Sequence, residues 1–84
     1  MYEITFTKTS LRQLKKLEKA IQKRVIATLE RIRLFPYKYA SRLREFDYYR
    51  LRIGKHRAIL DIKENPPRII VLEVGHRKNI YESL

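Results

Sequence analysis

Residues 49–57 read YRLRIGKHR, two short strand-like runs around a Gly-Lys pair, and this pattern predicts a β-hairpin. Gly54 supplies the positive φ that the first position of a type II′ turn requires, and Lys55 completes the two-residue loop. The turn sets the register: Ile53 opposite His56, Arg52 opposite Arg57, Leu51 opposite Ala58 and Arg50 opposite Ile59. Directly opposite residues share a face, as do alternate residues along a strand. One face therefore carries Tyr49, Leu51, Ile53, Ala58, Leu60 and Ile62 and belongs to a core. The other carries Arg50, Arg52, Arg57 and Ile59. Two guanidiniums directly opposite repel by about 3 kcal/mol at ~5 Å and an effective dielectric of ~20, before solvent and splaying weaken the effect. A hairpin that had only to be stable would not carry that conflict. An anion seated between the arginines removes it, and phosphate suits the planar guanidinium fork.

The rest of the chain supplies a scaffold. Tyr2, Ile4 and Phe6 alternate with Glu3, Thr5 and Thr7, the pattern of a half-buried strand. Ser10 and Gln13 have capping-box spacing, so a helix is expected to start near Thr9 or Ser10. Leu11, Leu14, Leu17, Ile21, Val25, Leu29 and Ile32 follow at helical spacing to about Leu34, and Pro36 ends the pattern. One helix of about 25 residues would span nearly 40 Å, long for a domain of this size, which favours two helices with a break near residues 19–21. Residues 36–47 read as a loop that interleaves Tyr37, Tyr39 and Phe46 with Lys38, Arg42 and Arg44, a composition suited to stacking bases and holding phosphates. After the hairpin, Asn65-Pro66-Pro67 marks a turn. Residues 69–74 form an apolar, β-branched run expected to be an interior strand buried on both faces, and Gly75 is expected to allow a bend before the tail.

Composition narrows the chemistry. The 84 residues suffice for one small domain, and a hydrophobic content of 44% supports a core. The formal net charge of +11 favours a polyanionic partner. The absence of cysteine excludes disulfides, thiol nucleophiles and thiolate metal sites, and two histidines with few nearby carboxylates argue against a zinc centre. No cofactor or metal is expected. No apolar run approaches the ~20 residues of a membrane span and MYEITFTK does not read as a signal peptide, so no membrane association and a cytoplasmic location are expected.

The order of strand, helical segment, basic loop, YRLRIGKHR hairpin, apolar strand and GHRKNIY tail resembles the RelE/ParE toxin superfamily over essentially the whole chain. The most specific match pairs YR-x-R-x-G-x-x-R with GHR-x-x-x-Y one strand later. The resemblance implies a single α+β domain over residues 1–84, with N-terminal helices packed on one face of a small curved antiparallel β-sheet. It implies the toxin of a type II toxin–antitoxin system, held inactive by a cognate acidic, RelB-like antitoxin in a hetero-oligomeric complex. In the ribonuclease branch the partners are the ribosome and mRNA. The toxin cleaves the message in the ribosomal A site by attack of a 2′-hydroxyl on the adjacent phosphate. In the other branch a ParE-like toxin inhibits gyrase by protein binding. A non-catalytic basic RNA-binding module is the remaining alternative.

By this resemblance Arg57 and Arg77 match the family's phosphate-binding arginines, Tyr81 the tail tyrosine that stacks or moves a proton, and Arg44 a basic loop position. Arg50 and Arg52 fall where a ribonuclease member has two lysines, and His56 and Asp61 replace common aromatics. The expected catalytic set is Arg57, Arg77, Tyr81, Arg50 and Arg52. The expected RNA-binding set is Arg44, Lys55, His76, Lys78 and Arg42. Tyr81 is expected to be the base, with His76 in reserve.

Overall fold

In a computed structural model that describes residues 1–76, the chain runs β1 (Glu3–Phe6), α1 (Lys8–Lys15), α2 (Lys19–Ile32), α3 (Pro36–Tyr39), β2 (Ser41–Arg42), β3 (Tyr49–Ile53), β4 (His56–Glu64) and β5 (Pro67–His76). The five strands form one open, curved sheet in the order β1-β5-β4-β3-β2. This is the expected α+β architecture. Its antiparallel part comprises β2 to β5, whereas β1 pairs with β5 in parallel, Ile4 opposite Ile69 and Phe6 opposite Val71. The chain makes β5 only after the helices and the hairpin, so the pairing that closes the scaffold joins its two ends.

The helices differ in detail from the sequence expectation. Thr7, not Thr9 or Ser10, caps α1, its Oγ1 accepting from the Ser10 N–H at 3.1 Å. Ser10 is fully buried, and its hydroxyl donates to the Val71 carbonyl at 2.7 Å. Two helices do form, but the break falls between Lys15 and Lys19, a few residues early. No glycine marks it; the Gln22 side chain donates to the carbonyl of Leu17, in the turn just past α1, at 2.8 Å. Pro36 opens the short helix α3 from its first turn rather than beginning a loop, since a missing N–H costs nothing at that position.

Val25, Leu29 and Ile32 of α2 and Leu14 of α1 lie on the inner face of the sheet against Leu51, Ile53, Ala58, Leu60, Ile69, Val71 and Val74. Each fully buried aliphatic side chain contributes roughly 1.5–3 kcal/mol of burial free energy, so this layer holds the helices to the sheet. Interior strand β5 is buried on its inner face but only half-buried at Ile70 and Leu72, so it is less enclosed than its apolar run suggested. It continues as strand through Gly75 to His76 with no bend. Among the described residues no helix is long and apolar enough to cross a membrane.

At the edge far from the Gly54 turn, Tyr2 and Tyr37 both donate to the Glu64 carboxylate, Tyr2 at 2.7 Å. Tyr37 also meets Tyr49 edge-on, ring centroids 5.3 Å apart. This clip ties the N-terminus, α3 and the end of β4 together. The hydrogen bond to Glu64 raises the Tyr2 phenol above its ordinary value, burial followed by Glu64 raises Tyr37, and the Tyr37 and Tyr2 hydroxyls lower Glu64. A raised phenol contributes stability that is complete below the unfolded value of about 10 and is lost as pH climbs through the folded values. The lowered carboxylate contributes above its own unfolded value and is lost as pH falls through the folded one. Tm should therefore decline above about pH 10, and Tyr37→Phe should flatten that decline. Parallel melting of both proteins across pH 7 to 11, with equal slopes, would rule out the clip as a source of alkaline sensitivity.

Candidate active site

The hairpin forms as its residue pattern requires. Arg52 pairs with Arg57, Leu51 with Ala58, Arg50 with Ile59 and Ile53 with His56. Gly54 adopts φ 60°, the left-handed value a type II′ turn places at its first position. The space over it is also occupied. The Arg24 guanidinium of α2 lies 3.1 Å from where a Cβ on Gly54 would sit. A helix side chain thus packs directly on the hairpin tip, a contact the sequence did not reveal.

Arg50, Arg52 and Arg57 stand on the outer face, opposite the helices, because Leu51, Ile53 and Ala58 occupy the inner one. Arg50 and Arg57 are half-buried and Arg52 is exposed. Across the sheet, Arg50 is flanked by Ser41 of β2 and Ile59 of β4, and Arg57 by Arg52 and Gly75. Ile59 is fully buried although it lies outside the main apolar cluster. Lys55 is exposed at the turn, and Arg44 is exposed in the loop that the Leu43 N–H closes onto the Tyr48 carbonyl. Arg42 is exposed in β2 and pairs with Asp47 at 3.0 Å, so a phosphate must compete for its guanidinium.

His76 is placed elsewhere. Its register partner is His56, which sits opposite Ile53 on the inner side, and the two imidazoles meet edge-on with centroids 5.7 Å apart. His76 thus leaves the arginine face and loses its standing as the reserve base there. Burial first, then the charges of His76 and Arg24, lowers the His56 imidazole from its ordinary value. Arg77, Lys78 and Tyr81 lie outside the described residues.

The profile of the ParE toxin of type II toxin–antitoxin systems matches residues 4–81. The chain belongs to the ParE toxin family, within the RelE/ParE superfamily. The toxin is also similar to solved structures of that superfamily. It superimposes on a chain of the RelBE2 toxin–antitoxin complex from Mycobacterium tuberculosis with a TM-score of 0.84 and 26% identity, over 90% of this chain and 98% of that one. A chain of the RelB-RelE complex from Methanococcus jannaschii gives 0.73 and 27%, covering 94% and 96%. The isolated RelE toxin of E. coli gives 0.76 at 18% identity, covering 99% and 94%, and shares the fold. No curated protein matches the toxin.

Sequence reasoning missed one carboxylate on this face. Glu73 pairs with Ile59 of β4, itself the partner of Arg50. Its side chain therefore points outward, next to the row that holds Arg57. Gln13 of α1 donates to Glu73 Oε2 at 2.6 Å and accepts from the Val74 N–H at 2.8 Å. A lone glutamate inside an apolar run carries no local signal.

Proposed function

We propose that this toxin is an endoribonuclease that cuts mRNA in the ribosomal A site and so inhibits translation. The observation that carries the reading is the placement of Arg50, Arg52 and Arg57 together on the outer face of β3 and β4. Attack of a 2′-hydroxyl builds negative charge on the non-bridging phosphate oxygens, and fixed guanidiniums aimed there lower the barrier. Arginine supplies that charge at every working pH. The exposed Lys55 and Arg44 add to the cationic surface along which an RNA backbone can run, whereas Arg42, opposite Tyr49, lies in a row of the inner side at the sheet edge. Arg77 and Tyr81 complete the site by the family resemblance. The 84 residues act as one domain, and the partner that silences it is an acidic, RelB-like antitoxin segment that folds over the basic face. The complexes from M. tuberculosis and M. jannaschii, each a RelE-type toxin with its antitoxin, support that pairing.

A second reading, gyrase inhibition by protein binding, is favoured by the family profile itself, which is that of ParE. Primer extension on cellular messages after brief induction separates the two. The ribonuclease reading expects new 5′ ends phased with the reading frame, within minutes and in translated regions only. Uncut messages together with loss of DNA supercoiling by purified gyrase would replace it with the second.

A further inference from the structure

Cleavage through a 2′-hydroxyl needs a group that takes its proton, and guanidinium cannot serve, because arginine stays protonated in proteins. With His76 on the inner face, the described part of the arginine face must supply another acceptor or leave the task to the tail. We propose that Glu73 is that acceptor, held in place by Gln13; the assignment rests on the ribonuclease reading.

A register shift aims Glu73. Leu60 pairs with Val71, but Ile59 pairs with Glu73, so Leu72 is an extra residue in β5. A bulge of this kind re-aims the side chains beyond it. Here it turns Glu73 and Gly75 outward and Val74 and His76 inward. The bulged stretch is anchored by the start of α1. The Thr7 N–H and the Ser10 hydroxyl donate to the Val71 carbonyl at 3.1 and 2.7 Å, and the Thr7 hydroxyl donates to the Leu72 carbonyl at 3.3 Å. One turn on, the Gln13 amide fixes both the Val74 N–H and Glu73 Oε2.

The carboxylate is confined by its place in the sheet. Glu73 is 9% exposed. Gln13 occupies Oε2, and no described residue donates to Oε1. Two residues on, Gly75 faces Arg57, and nothing among the described residues lies within 4 Å of the position a Cβ there would take. Among the described residues, the face thus leaves room for one side chain at Gly75, with Arg57 across from it and Glu73 beside it. Diagonal neighbours in a sheet stand about 7–8 Å apart, within reach of long side chains, and a ribose with its 3′ phosphate bridges such a span. Another outward acid, Asp61, pairs with Lys63 at 3.4 Å and lies four residues along β4 from Arg57, roughly 13 Å away; the outward Glu3 stands farther off in β1, opposite Arg68.

In the step assigned, Glu73 Oε1 takes the 2′-hydroxyl proton as the 2′ oxygen bonds to phosphorus. The bond from phosphorus to O5′ breaks, its electron pair stays on O5′, and that oxygen takes a proton from water. The products are a 2′,3′-cyclic phosphate and a 5′-hydroxyl, and Glu73 returns its proton to solvent.

The test uses the full toxin, ribosomes programmed with mRNA, and single-turnover conditions. Glu73→Gln keeps the shape and should cut the rate by about 10² to 10⁴, the range of general-base contributions. The acid limb of the pH–rate profile should vanish with it. Affinity for ribosomes whose message carries a 2′-deoxy nucleotide at the cut site should hold or rise, since a negative charge leaves the face. Gly75→Val fills that space and should weaken affinity while leaving the acid limb in place. A wild-type rate in Glu73→Gln overturns the assignment, and so does a lost rate matched by an equal loss of affinity or of Tm. If the wild-type toxin produces no cyclic phosphate ends, the ribonuclease reading falls and takes this assignment with it. An active wild type beside an equally active Glu73→Gln removes the assignment alone.

Discussion

Arg57→Ala should lower single-turnover cleavage of ribosome-bound mRNA by about 10² or more, the scale for removing one preorganised donor at a developing oxyanion. Arg57 stands between Arg52 and Gly75 in the outward row nearest the hairpin tip, where, on the proposed reading, a phosphate would meet two guanidiniums. Binding should suffer less than rate, because charge on the non-bridging oxygens grows towards the transition state. The loss in binding should appear as a log–log salt slope shallower by about 0.7, the value for one single-strand phosphate contact. Arg57→Lys should recover the slope but not the rate, since an ammonium lacks the planar fork. The fold should persist, as Arg57 is no part of the apolar cluster. Cleavage at the wild-type rate in Arg57→Ala would take the hairpin out of the chemistry.

Leu60→Ala should lower activity by a different route, through loss of stability on heating or in denaturant. Leu60 is fully buried in β4, with Tyr49 of β3 on one side and Val71 of β5 on the other. Truncating such a leucine costs about 2–5 kcal/mol, against roughly 4–13 kcal/mol of total stability for a chain of this length. Tm should fall by roughly 10–30 °C and the urea midpoint with it, at unchanged m-value. Leu34→Ala is the control: Leu34 is 59% exposed, and its loss should stay within about 0.5 kcal/mol. Equal melting of the two variants would mean that the sheet does not centre on Leu60. Together the arginine and leucine variants separate loss of chemistry from loss of fold, which a growth assay alone confounds.

The legible parts of this protein were the local ones. A two-residue turn with glycine at its first position leaves one register, so YRLRIGKHR determined by itself which arginines share a face. Helical periodicity likewise marked Val25, Leu29 and Ile32 as the buried stripe of α2. Both patterns are read over fewer than about 15 residues, and the core needs nothing else to choose a side. Where the helices broke was less legible, because no glycine or proline marks the turn at residues 16–18, which Gln22 holds by a side-chain bond to the Leu17 carbonyl.

Tertiary structure decided what depends on partners far along the chain. Nothing near β1 indicates that it runs parallel to β5, since that pairing joins residues more than sixty positions apart. Simple alternation from Ile69 and Val71 would have turned Glu73 inward and His76 towards the arginines. The extra residue at Leu72 reverses both. A strand has a side-chain period of two, so a slip of one residue exchanges its faces completely. That slip occurs where the start of α1 takes the Val71 and Leu72 carbonyls and Gln13 takes the Val74 N–H. The sequence alone therefore determined the cationic face. Long-range hydrogen bonding between α1 and β5 determined which proton-accepting side chain joins it.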